Sequence, residues 1–189
     1  MQTLERLGVS AVILEDKTGL KRNSLLGTSV KQELADVNEF AEKIRAGKRA
    51  QVTQEFMIFA RLESLIAGMG VSDALARAKK YIDAGADGIM IHSKSSDGLD
   101  VFEFLSVFRK THKTIPVILV PTTYNHFTES ELYGRGANII IYANHLLRSA
   151  YPAMLQTAKC ILENARSKEA SEQFCMPIKD VLALIPGGQ

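Results

Sequence analysis

A parallel α/β fold is predicted by three observations along the 189-residue chain. Short apolar runs fail to alternate with polar residues, amphipathic segments lie between them, and a helix end, a glycine and a strand recur in that order. A strand buried on both faces has no solvent side, so an uninterrupted apolar run is its signature. Regular alternation of strands and helices implies right-handed crossovers, hence either a (β/α) barrel or an open doubly wound sheet. Both put chemistry at the C-terminal ends of the strands.

The first run opens "AVILEDKTGLKRNS" and gives a strand near 11–15. "FMIFARLE", "GIMIHS", "PVILVPTTY" and "NIIIYANH" give four more, near 56–62, 88–92, 117–121 and 138–143. Between them "LADVNEFAEKIRAG", "VSDALARAKKYIDAG", "VFEFLSVFRKTH" and "TESELYGRG" carry apolar residues at helical spacing. Ser72 reads as an N-cap with Asp73 in the first turn, and Thr128 with Glu131 has the spacing of a capping box. Gly8, Gly85 and Gly136 each stand between a helix end and a strand, where a left-handed helix stop suits glycine. C-terminal helices fill 146–189, the last presenting Ile178, Val181, Leu182 and Ile185 on one face that must pack against the chain's own core or a partner subunit. The chain 1–189 is expected to be one domain.

Composition narrows the function. With 46% apolar and 23% charged residues the chain can bury a core. A net charge of +2 without a Lys/Arg cluster gives no footprint for nucleic acid or a membrane surface. Cys160 and Cys175 form neither a C-x-x-C pair nor a disulfide framework, which points to a reducing compartment such as the cytoplasm. No apolar stretch is long enough to span a bilayer, and "MQTLERLGVS" lacks the pattern of a signal peptide. G-x-G-x-x-G, Walker, H-E-x-x-H and G-x-S-x-G motifs are all absent.

The candidate chemistry sits at strand ends. Side-chain parity puts Ile13 and Glu15 on one face of the first strand. A carboxylate there, followed by Lys17 and Lys21, suits a divalent cation with an anionic substrate; the alternative is a solvated turn. Arg61 shares a face with Met57 and Phe59, and a guanidinium in that apolar setting needs either Glu63 or a substrate oxyanion as partner. His92 follows Met90 on the same face, with Ser93 and Lys94 beside it. Asn144 and His145 repeat the pattern after the fifth strand, where His145 could equally cap the next helix.

"EDKTGLKRNSL", "ARLESLIAGMG", "AGADGIMIHSK", "ILVPTTY" and "IIIYANHLLRSA" together resemble the phosphoenolpyruvate mutase branch of the isocitrate lyase superfamily. The pattern E-D-K-x-x-x-K-x-N-S is the most diagnostic, and the match runs in order along nearly the whole chain. The resemblance implies an α/β TIM-type barrel with a last helix exchanged between subunits. It also implies a Mg²⁺ site at the strand ends and interconversion of phosphoenolpyruvate and phosphonopyruvate. Residue by residue, Glu15 resembles the Mg²⁺-site glutamate acting through bound water, and Lys21 and Asn23 lie on the loop that closes over the phosphoryl group. Arg61 resembles the arginine holding substrate anions and His92 the histidine beside it, while Ser93 and Asn144 join the substrate-binding set.

The carbon–carbon lyases of the superfamily carry K-K-C-G-H on the corresponding loop, and no cysteine is present here. Phosphonopyruvate hydrolase has Thr where this chain has Asn23, which favours the mutase. The family's first strands supply further Mg²⁺-site aspartates and amides for the substrate carboxylate, and nothing in this chain corresponds to them. The expectation is therefore an incomplete barrel of about five strands, the C-terminal portion of the family fold, inactive alone and a homo-oligomer if completed. A non-catalytic scaffold is the further alternative.

Overall fold

The structure, a computed structural model, describes residues 1–19 and 33–184. The chain forms two compact units, Met1–Tyr142 and Ala143–Gln189. In the first, α1 (Gln2–Arg6) leads into β1 (Ala11–Glu15), and α2 (Val37–Arg49) connects to β2 (Met57–Leu62). Then follow α3 (Gly70–Asp83), β3 (Gly88–Ile91), α4 (Leu99–Thr111), β4 (Val117–Leu119), α5 (Glu129–Gly134) and β5 (Ile139–Ile140). The second unit holds α6 (His145–Asn164), α7 (Lys168–Gln173) and α8 (Ile178–Ala183). No helix among the described residues is long and apolar enough to cross a membrane.

The five strands pair in sequence order, all parallel, as the unbroken apolar runs require. Register aligns Glu15 with Arg61, Arg61 with Met90, and Met90 with Ile118, so alternate residues of successive strands share one face. On the helix side Ala60, Leu62, Ile89, Ile91, Val117 and Leu119 pack against the apolar stripes of α2, α3 and α4. On the other side Phe59, Met90, Ile118 and Val120 form a smaller cluster with Ala11, Met57 and Ile141. The polar strand ends belong to this second face.

β4 stops before Val120–Pro121, where proline offers no N–H to a ladder. Gly8, Gly85 and Gly136 have φ of 81°, 102° and 106°, the left-handed conformation expected at these helix stops. The capping box of Thr128 and Glu131 is formed. The expected N-cap Ser72 is corrected: α3 begins earlier, with Met69 as N-cap, because positive-φ Gly68 and Gly70 turn the backbone into the helix three residues sooner. Ser72 is thus inside the helix, while Asp73 is in the first turn as expected and pairs with Arg77.

Candidate active site

Five polar side chains converge at the C-terminal ends of β1, β2 and β3: Glu15, Lys17, Arg61, Glu63 and His92. Parity explains the convergence, since Glu15 and Lys17 continue the face of Ile13, Arg61 and Glu63 that of Phe59, and His92 that of Met90. Glu63 is the hub. Its carboxylate is fully buried, accepts a hydrogen bond from Arg61 Nε at 2.7 Å, lies 3.0 Å from His92 Nδ1, and pairs with Lys17 Nζ at 3.3 Å. Lys17 Nζ also reaches Glu15 at 2.8 Å, and Arg61 Nη2 stands 3.7 Å from the same Glu15 oxygen.

An isolated buried carboxylate would cost several kcal/mol, so a Glu63 shared among three nitrogen-bearing neighbours is the arrangement burial demands. Exposure grades outward, from Glu63 at 0% through Lys17 at 9% to Glu15 and Arg61 at 19% and 20% of their side chains. The anion is inside and the guanidinium is presented. His92 Nδ1 is 2.8 Å from Arg61 Nη2 as well as 3.0 Å from Glu63. Arginine only donates, so an unprotonated Nδ1 accepts from Arg61, whereas a protonated Nδ1 donates to Glu63. One proton decides which partner holds the ring.

Behind the cluster, on the helix side, Asp16 is also fully buried. Burial pushes its carboxyl up to about 6, against the lowering effects of the Glu63 N–H, Arg77 and Tyr81. Desolvation pulls the Arg77 guanidinium down, but Tyr81, Asp16 and Asp73 outweigh it and its pKa is raised. Burial, followed by the charge of Asp16, raises the Tyr81 phenol.

The structure brings Glu15, Arg61 and His92 together as expected from their positions. Ser93 turns elsewhere, donating to Asp100 Oδ2 at 2.6 Å and accepting from the Ser95 N–H at 3.0 Å. Asn144 is the N-cap of α6 in the second unit, without a side-chain capping bond, and His145 is the first residue of that helix. Lys21 and Asn23 lie outside the described residues. From the sequence, Glu63 is visible only as one possible partner of Arg61, and Lys17 as a charge following Glu15 that suits an anionic substrate or a solvated turn. Their placement depends on the pairing of β1 with β2, which no local pattern supplies.

Residues 1–162 match the family model described as phosphoenolpyruvate phosphomutase. The chain is 40% identical over 164 residues to the phosphoenolpyruvate phosphomutase of Tetrahymena pyriformis, covering 87% of this chain and 53% of that protein. It is similar to the crystal structure of phosphoenolpyruvate phosphomutase from Streptomyces platensis subsp. rosaceus, with a TM-score of 0.87, 41% identity, and coverage of 97% and 62% of the two chains. It is also similar to a structure of phosphonopyruvate hydrolase in complex with oxalate and Mg²⁺, with a TM-score of 0.81, 32% identity, and coverage of 95% and 60%. The chain thus spans between about half and three fifths of the length of these relatives.

Proposed function

The chain belongs to the phosphoenolpyruvate phosphomutase family, and we propose that its strand-end cluster moves a phosphoryl group between the enol oxygen of phosphoenolpyruvate and C3 of phosphonopyruvate. The observation that carries this reading is the outward-graded pair, a buried Glu63 fixing an Arg61 that remains a fifth exposed. A guanidinium oriented by a carboxylate behind it is suited to grip phosphoryl oxygens in front of it.

Charge balance supports a metal in the same site. Lys17 and Arg61 cancel Glu15 and Glu63, so these groups offer a multiply charged anion no net attraction when His92 is neutral. Further positive charge is needed, and by the family resemblance Mg²⁺ and Lys21 supply it. Among the described residues no group of three or more His, Cys, Asp or Glu side chains is arranged to hold a metal ion. Glu15 therefore fits Mg²⁺ as a single oxygen contributor, directly or through water, and the ion's preference for water and substrate oxygens accommodates that. When bound, Mg²⁺ supplies stabilisation of the enolate oxygens of the pyruvyl group.

The chain's own residues have positioning work. In the forward direction the bond from phosphorus to the enol oxygen breaks and one from phosphorus to C3 forms, with no net proton transfer. Such a loose phosphoryl transfer asks the protein for alignment and charge stabilisation rather than covalent help. Arg61 and His92 hold phosphoryl oxygens, Glu63 keeps both oriented, and Lys17 keeps Glu15 aligned with them. Lys21 and Asn23 are assigned to the same phosphoryl group by the family resemblance alone. Exclusion of water prevents diversion to hydrolysis. With Glu15 the one carboxylate among the described residues assigned to the cation, the chain by itself is proposed to bind substrate and turn it over poorly.

Phosphonopyruvate hydrolase is the second reading, supported by the similarity to that enzyme's structure, while Asn23 favours the mutase. A non-catalytic scaffold has no use for a network of buried or half-buried ion pairs at strand ends. Phosphorus NMR of the chain with phosphonopyruvate and Mg²⁺ separates the readings. A phosphoenolpyruvate resonance supports the mutase, and inorganic phosphate supports the hydrolase. Neither product, together with an unperturbed phosphonopyruvate resonance, contradicts both.

A further inference from the structure

We propose that Asp16, Arg77 and Tyr81 form a positioning network on the helix side of the sheet that sets where Glu15 and Lys17 stand relative to Arg61 and Glu63. Asp16 lies between Glu15 and Lys17, so its side chain leaves the strand on the opposite face. Its Oδ1 accepts the Glu63 backbone N–H at 2.9 Å, and its Oδ2 accepts from the Tyr81 hydroxyl at 3.0 Å and Arg77 Nη1 at 3.3 Å. Its backbone N–H donates to the Arg61 carbonyl at 3.1 Å and its carbonyl accepts from the Ala35 N–H at 2.9 Å. One buried residue therefore ties the end of β1 to the end of β2, to α3 and to Ala35.

The helix contributes a stripe. Asp73, Arg77 and Tyr81 are four residues apart and share one face of α3. Arg77 Nη1 donates to the Ala35 carbonyl at 2.9 Å and to the Tyr81 hydroxyl at 3.0 Å, and its Nε donates to Asp73 Oδ2 at 3.0 Å. Asp73 also takes the Ser64 hydroxyl at 2.7 Å, directly after Glu63, so the exit of β2 is held twice. Around the return at Glu33–Ala35, Thr18 N–H donates to the Glu33 carbonyl at 3.0 Å and Lys17 bridges antiparallel to Leu34.

Buried ionic groups of this kind are seldom better for stability than apolar residues of the same volume, so fixed geometry is the property they can supply. The geometry they fix is the spacing of the two strand ends bearing the cluster. None of the three side chains contacts Arg61 or His92 directly in these bonds, and each acts through Asp16 or Glu63. The functional weight of the network rests on the mutase reading of the cluster.

Amide hydrogen exchange and ¹⁵N NMR of the full chain without substrate test the network, using Tyr81→Phe, Arg77→Met and Arg77→Lys. In Tyr81→Phe and Arg77→Met the Glu63 and Ala35 amides should exchange at least about tenfold faster, while the Ile141 amide, bonded to the Leu119 carbonyl, stays close to wild type. The His92 imidazole nitrogens should shift in the same two variants, and Arg77→Lys should restore part of both effects. Equal acceleration at Ile141, no acceleration at Glu63 and Ala35, or unchanged His92 resonances would overturn the proposal. Because no substrate is present, this outcome is independent of the phosphorus NMR result.

Discussion

Glu63 is the residue on which the cluster turns, because it alone is fully buried and bonded to neighbours from two other strand ends. Glu63→Ala removes the buried counter-charge of Arg61 and Lys17, both of which keep Glu15, and should cost about 3–5 kcal/mol in urea unfolding, the range for breaking a buried pair. Arg61→Ala leaves Glu63 with Lys17 and His92, so the expected loss is about 1.5–3 kcal/mol, that of a charged hydrogen bond. The reverse order would mean that Arg61 is chiefly structural. Glu15, Arg61 and His92 were legible in the sequence, because each follows an apolar residue two positions earlier on the same strand face. The Arg61–Glu63 contact was legible only as one of two options, and it is formed. Whether Glu63 would meet Lys17 and His92 was not legible, since those contacts come from strands distant in sequence. The same holds for Asp16, which local pattern shows only as one more charge after an apolar run.

Among the elements, α5 has a start written in its residues and α3 does not. The Glu131 carboxylate accepts from the Thr128 N–H and hydroxyl, each at 2.8 Å, and those bonds hold its pKa below the ordinary value of 4.5. A lowered carboxyl contributes stability above its unfolded pKa and loses it as pH falls through the folded one. Glu131→Gln should therefore lower the thermal midpoint at pH 7, with a difference that shrinks below pH 4.5 and vanishes once wild-type Glu131 is protonated. A constant difference across that range would contradict the role of its charge. Ser72→Ala should stay within about 0.5 kcal/mol of wild type, because Ser72 caps nothing. In β3, a Cβ on Gly88 would stand 2.2 Å from Phe59 Cε1 and 2.9 Å from the Pro116 carbonyl. Gly88→Ala should thus destabilise by at least about 1–3 kcal/mol in the same unfolding assay. Strand identity was plain from the unbroken apolar runs, whereas the early end of β4 and the early start of α3 depend on backbone turns at proline and glycine.

For the molecule as a whole, alternation of strands and helices was enough to predict the parallel sheet, because crossovers between parallel strands admit few other arrangements. Helical periodicity after Tyr142 says only that each helix has an apolar face, not what covers it. In the second unit Leu146, Leu147, Leu162, Ile178 and Leu184 are exposed, at 68% or more. We propose a homo-oligomer, as the family resemblance implies, and light scattering should give a mass well above 20.8 kDa at micromolar concentration; a monomer throughout would count against it. The strand-end cluster is proposed to grip the phosphoryl group through an Arg61 oriented by Glu63. The most direct test is titration of phosphonopyruvate with Mg²⁺ into wild type and Arg61→Ala, followed by the phosphorus resonance, with circular dichroism confirming that the variant is folded. Wild type should bind, and the folded variant should bind at least about tenfold more weakly, the loss of one charged contact. Equal affinity in the two proteins, or no binding by wild type, would contradict it.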